Sequence, residues 1–220
     1  MRPQSVDLDA KLQELDRLKS RTAELEKQIS EATQQPPHWR AKGYYTAFYA
    51  TTGFMLGSFA AAASLLVNVI GAPIVGKNPL ELIRVYLTFP LGESALRLTE
   101  QPGHYVLGDG VILAIGCCLY LFTGMLLGVP FFLVLTRFTA RASLGVRLMV
   151  AAALSIGVWL FNFYAVLSWL QPLLFGGNWI TDPKLLPPWV AMATHLVFGW
   201  TLVLLYPLGE YIPYRRPTEK

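Results

Sequence analysis

Among the polar side chains inside otherwise apolar runs, His195, Asn162 and Tyr120 decide by their types what chemistry the chain can offer there. A histidine in hydrocarbon is the one group of the three that can ligate a metal or carry a proton near neutral pH. An amide or a phenol at that depth must find a hydrogen-bond partner, because a polar group desolvated without one is costly. Asn162 is therefore expected to face another helix, and His195, about two turns inside its own apolar run, is the plausible counterpart. Three roles stay open for His195: a neutral imidazole bonded to Asn162, Tyr120 or a backbone carbonyl; a ligand to haem or another metal; and a proton carrier. The ligand role has few helpers. His38 and His104 are the other histidines, and no carboxylate lies inside an apolar run. No phosphate-binding glycine loop and no zinc-ligand spacing is present, so no catalytic residue, metal set or cofactor is assigned.

The elements that must hold these residues are four long apolar runs, at 44–70, 111–135, 148–170 and 189–208. Each is as long as the ~20 residues a helix needs to cross a bilayer. Apolar residues make up 54% of the chain and charged ones 15%, which argues against a soluble domain. The fold class expected is all-α and integral to the membrane, a bundle of four transmembrane helices. Charge sets the expected orientation. Arg40 and Lys42 precede the first run, Arg137, Arg141 and Arg147 fill the short connection between runs two and three, and Arg215, Arg216 and Lys220 follow the last. The rule that basic loops stay inside puts both termini in the cytoplasm. An even number of spans agrees with that. Residues 1–40 hold no apolar stretch of the kind a secretory signal carries.

Residues 1–33 are of another kind. Leu8, Leu15, Thr22 and Ile29 recur every seven residues, with Leu18, Leu25 and Ala32 at the companion positions, Lys11 as a weak member and Leu12 beside them. That is the seam of a coiled-coil-like helix, surrounded by mixed charges. It is expected to dock a membrane-protein partner or to form a homo-oligomer through residues 5–32. Residues 34–43, with Pro36 and Pro37, read as a linker, 44–214 as the membrane domain and 215–220 as a cytoplasmic tail.

Within the membrane domain, Gly53 and Gly57, and again Gly124 and Gly128, lie four apart, the spacing that lets two helices approach closely in lipid. Pro130 is expected to kink its helix or mark its last turns. Residues 79–89 are too polar to span and too apolar for a solvated loop. They are expected to lie along the outer interface, with Leu82, Val85, Tyr86 and Phe89 toward lipid or the bundle and Glu81 and Arg84 toward water. Cys117 and Cys118 are adjacent on one helix, where a bridge would be strained, and read as packing residues.

The segments 78–93, 120–132 and 195–210 resemble small bacterial four-span inner-membrane proteins. The stretch His195-Leu196-Val197-Phe198-Gly199 is similar to one in the YagU-like group. That resemblance brings no reaction with it, and implies a bacterial inner-membrane location and an accessory role beside a respiratory complex. Three functions are weighed on the residues: a non-catalytic accessory subunit or assembly scaffold, a small oligomeric transporter or channel, and a haem- or metal-binding redox protein using His195. The partners expected are the bilayer and another membrane protein or a second copy; no nucleic acid is expected.

Overall fold

Leucine-rich sequence without interior charge folds in lipid only as helix, since every backbone group must be satisfied within its own segment. The computed structural model describes residues 5–34, 45–74, 76–98 and 107–212, and among them no strand occurs. In chain order the helices are α1 (Ser5–Gln34), α2 (Thr46–Ile74), α3 (Glu81–Leu91), α4 (Leu107–Phe138), α5 (Leu144–Leu160), α6 (Ser168–Phe175) and α7 (Pro188–Leu205). A π-helical stretch, Phe161–Leu167, joins α5 to α6 without a break, and 3₁₀ turns follow α3 and α7 at Gly92–Arg97 and Tyr206–Gly209. Four stretches are long and apolar enough to cross a bilayer: α2, α4, the continuous Leu144–Phe175 and Pro188–Gly209. The chain is a multi-pass membrane protein. Each span runs one to five residues past at least one expected end, because a helix continues into the headgroup layer after its apolar run stops.

The chain divides into two units, Met1–Gly43 and Tyr44–Lys220. In the first, α1 is a helix of 30 residues. Leu12, Leu15, Leu18, Leu25 and Ile29 are all exposed on it. The side chain of Leu8, the linker around Pro36 and Pro37, His38, His104 and the tail from 213 onward lie outside the described residues.

In the second unit α2 packs along α4, α7 packs on both α2 and α5, and α4 and α5 touch little although they are consecutive. Two glycines on each helix make the α2–α4 approach possible. A Cβ on Gly53 would stand 2.7 Å from the Gly128 carbonyl oxygen, and one on Gly57 would meet the Gly124 carbonyl and come within 3.0 Å of the Met125 Cα. The space is closed by backbone, which cannot rotate away. Near the α4–α5 turn, Phe131, Phe132, Leu135, Leu202 and Tyr206 form the core. Arg147 closes this end. It donates to the carbonyls of Thr139 (3.1 Å) and Ala140 (3.0 Å), and its guanidinium lies 3.8 Å over the Tyr206 ring. α4 itself continues through Pro130 to Phe138.

α3 corrects one expectation. Ile83, Arg84, Val85, Leu87 and Thr88 are all buried, so the helix packs against the rest of its unit on more than one side, and the correction concerns Arg84. Ile83 and Leu87 fill the space over Gly116 of α4, where a Cβ would stand 2.9 and 2.7 Å from them. Val85 packs on the other side with Phe163, Ile180, Leu186 and Ala191. Arg84 does not turn to water. Its guanidinium donates to the Leu96 carbonyl at 2.6 Å and pairs with Glu81 at 3.2 Å. A guanidinium whose terminal nitrogens reach a carbonyl and a carboxylate can be buried at far lower cost than one with neither.

Candidate functional site

Because α4 and α5 barely meet, the second unit holds a cavity of about 350 Å³ between α3, α4, the π-helical stretch and α7, floored by Ala61 and Ser64 of α2. All three polar residues singled out from the sequence line it: Tyr120 from α4, Asn162 from the π-helical stretch and His195 from α7. Most of the wall is apolar, including Leu82, Phe89, Leu127, Phe163 and Phe198. A second cavity of about 280 Å³ lies beside it toward Lys77 and Glu81, and shares Leu82, Leu186 and Thr194 with it.

His195 does not bond Asn162. Its Nδ1 lies 2.8 Å from the Ala191 carbonyl oxygen one turn back on its own helix. A carbonyl can only accept, so in the neutral ring Nδ1 carries the hydrogen and Nε2 keeps its lone pair. Asn162 makes no hydrogen bond to a described residue. Its place comes from the π-helical stretch, in which each turn holds more residues than an α-turn and so rotates the following side chains relative to α5. Aromatic neighbours steady that stretch: the Trp159 ring lies 6.1 Å from Phe163 and 5.9 Å from Tyr164.

The remaining polar groups around the cavity are paired. Ser64 donates to the Ala61 carbonyl at 2.9 Å, which leaves the Tyr120 hydroxyl to donate to Ser64 Oγ at 2.8 Å. Thr194 donates to the Val190 carbonyl and accepts from Asn68 Nδ2 at 2.9 Å, while Asn68 also donates to the Ser64 carbonyl at 2.8 Å. Thr123 donates to the Leu119 carbonyl, so the Tyr86 hydroxyl donates to Thr123 Oγ1 at 2.6 Å. The rings of Tyr86 and Tyr120 meet edge to face at 5.7 Å. α2, α4 and α7 are thus tied by polar contacts on the same side that leaves space.

Asn68 escaped the reading of the sequence, although an amide in an apolar run four residues after Ser64 carries the same signal as Asn162. Gln171 escaped it too. It is wholly buried, donates to Thr88 Oγ1 at 3.0 Å, and accepts from the backbone N–H groups of Trp179 (2.8 Å) and Ile180 (3.0 Å). It sews α6 and the following loop to α3, and so holds one wall of the cavity.

The four glycines are brought together in pairs, Gly53 with Gly128 and Gly57 with Gly124, and their role is close approach. Cys117 and Cys118 are both free thiols. Among the described residues no group of three or more His, Cys, Asp or Glu side chains could hold a metal ion. No protein-family model matches this chain, and neither a curated protein nor a solved structure matches it.

Proposed function

We propose that the protein is a non-catalytic membrane subunit, an accessory or assembly protein whose α1 couples it to a partner in a bacterial inner membrane, with both termini cytoplasmic. The observation that carries this reading is the apolar stripe on α1. Leu15 is 47% exposed, Leu18 58% and Leu25 49%, on a helix beside which no other element occurs among the described residues of its unit. An isolated helix of this kind is marginal in water without a packing partner. A stripe of leucines at heptad spacing is the surface such a partner covers. The resemblance to bacterial four-span proteins makes a respiratory complex the first partner to look for.

The test is a mild-detergent pull-down of tagged protein from its native membrane, beside the variant Leu18→Asp/Leu25→Asp. The wild type should bring down a membrane protein in stoichiometric amount, and the variant should lose it while its membrane unit keeps the same thermal midpoint. Recovery of the wild type alone overturns the accessory reading.

One observation favours a homo-oligomer instead, the arrangement a small transporter or channel would use. In a parallel pair of α1 helices, Glu14 of one copy faces Lys19 of the other, and Arg21 faces Glu26. The flanks of the seam are self-complementary in charge. Both copies would leave the membrane from the C-terminal end of α1, which matches a parallel pairing. Cross-linking that traps a dimer in the wild type, but not in the variant, would carry this second reading.

A further inference from the structure

The cavity between α3, α4 and α7 has an unequal polar balance. Ser64, Asn68, Thr194, Tyr86 and Thr123 have their hydrogen bonds made within the protein. His195 Nε2 and the Asn162 amide do not, and both border the same space. The cavity lies among the spans, where no bulk water stands ready to satisfy them, so each carries a desolvation cost until something bonds it. The Nδ1–H bond to Ala191 makes Nε2 an acceptor. The Tyr120 hydroxyl has committed its hydrogen to Ser64 and can likewise only accept. Two acceptors and an amide that both gives and takes call for a guest with an O–H group.

The rest of the wall specifies the rest of the guest. Leu82, Phe89, Leu127, Phe163 and Phe198 offer no polar atom, and a volume of about 350 Å³ falls within the range of small-molecule sites. Access follows from exposure. Leu119, Pro90 and Thr123 border the cavity and are exposed on the outer surface of the unit, which for these spans faces lipid. The way in is sideways from the bilayer.

We propose that this cavity binds a lipid-soluble alcohol, a molecule with one hydroxyl-bearing head and an apolar body, which enters from the bilayer between α3, α4 and the π-helical stretch. The hydroxyl donates to His195 Nε2 and accepts from the Asn162 amide, and the body lies against the aliphatic and aromatic wall. This site is independent of α1 and of what α1 docks.

The experiment uses the full chain in phosphatidylcholine nanodiscs and a diazirine-bearing hexadecanol as probe, with labelled peptides mapped by mass spectrometry. Label should concentrate in residues 119–127 and 161–167, and unlabelled hexadecanol should displace it while hexadecane does not. His195→Phe should lower the specific labelling about tenfold, the consequence of losing one hydrogen bond to a buried head, and His195→Gln, which keeps an acceptor, should retain most of it. Asn162→Leu serves as the second variant should His195→Phe fail to fold, and it should fall by a similar factor. Displacement by hexadecane as effective as by hexadecanol overturns the proposal, as does labelling unchanged in both variants. A Soret band in the purified protein would also overturn it, since Nε2 would then be a ligand to iron.

Discussion

The two sides of α4 meet their neighbours on opposite terms. Toward α2, Gly124 and Gly128 bring backbone against backbone, and even a methyl group has no room. Toward α3, the π-helical stretch and α7 the same helix borders about 350 Å³ of open space, and the contacts of Tyr86 with Thr123 and Tyr120 at its rim are polar and aromatic. In lipid, helices gain nothing from expelling water, so close van der Waals packing and interhelical hydrogen bonds must do the joining. The α2 side relies mainly on the first, with a single hydrogen bond from Tyr120 to Ser64 at the cavity floor. The other side uses the second, and keeps the histidine, the amide and the tyrosine. A rigid seam on one side lets the other remain incompletely filled, which is how a bundle can hold a guest without losing its shape.

The largest effect should come from closing the seam. Gly57→Ala sets a methyl group against the Gly124 carbonyl and the Met125 backbone, and should cost about 3 kcal/mol, the upper part of the range for overpacking, because backbone and not a side chain must move. Gly157→Ala is the matching change on α5, where a Cβ meets nothing within 4 Å, and should stabilise by up to about 1 kcal/mol through helix propensity. Unfolding in mixed micelles checks both. Equal effects from the two substitutions would break the comparison between the packed side and the open one.

Much of this was legible in the sequence, and the reasons differ by residue. Span number follows from apolar length, which needs no knowledge of packing. That Gly53, Gly57, Gly124 and Gly128 serve close helix approach follows from spacing, because small residues four apart lie on one helix face; that the two sets meet each other comes only from the packing of α2 on α4. The burial of Arg84 was not legible. Glu81 and Arg84 mark a wet face in isolation, and only the Leu96 carbonyl, held by the next 3₁₀ turn, lets Arg84 turn inward. Nor was the relation of Asn162 to His195. Whether residues on two helices meet depends on the rotation of each about its axis, and the π-helical stretch resets that rotation partway along the span without a sequence signal such as proline. Both line one cavity, yet each lacks the other as partner.

A middle-sized effect should come from Gln171, which supports the open side from behind. Gln171→Leu keeps roughly the volume and removes three hydrogen bonds, leaving the N–H groups of Trp179 and Ile180 without their acceptor. A loss of about 2 kcal/mol follows from stranding buried donors. Hydrogen exchange should rise at residues 176–182 and leave α2 and α4 unchanged. Exchange that rises evenly across the unit would mean that the two sides are one cooperative structure, and the contrast drawn above would fail.

The smallest effect sharpens the contrast most. Thr123→Val is nearly isosteric and removes only the acceptor for Tyr86 at the exposed rim of the cavity. Hydrogen bonds between helices within membranes average about 0.6 kcal/mol, so the cost in stability should be no larger than that. The hydroxyl of Tyr86 would then be free beside the cavity mouth, and the α3 wall would be held there by the ring contact with Tyr120 alone. Access should become easier while the fold barely changes, so the diazirine-hexadecanol probe should label residues 119–127 faster at the same final extent. A drop of several kcal/mol on so small a change would show that the polar contacts carry the bundle as much as the glycine seam does. Faster labelling at nearly constant stability would place the mouth of the cavity at Tyr86 and Thr123, and would separate the part of α4 that holds the fold from the part that admits a guest.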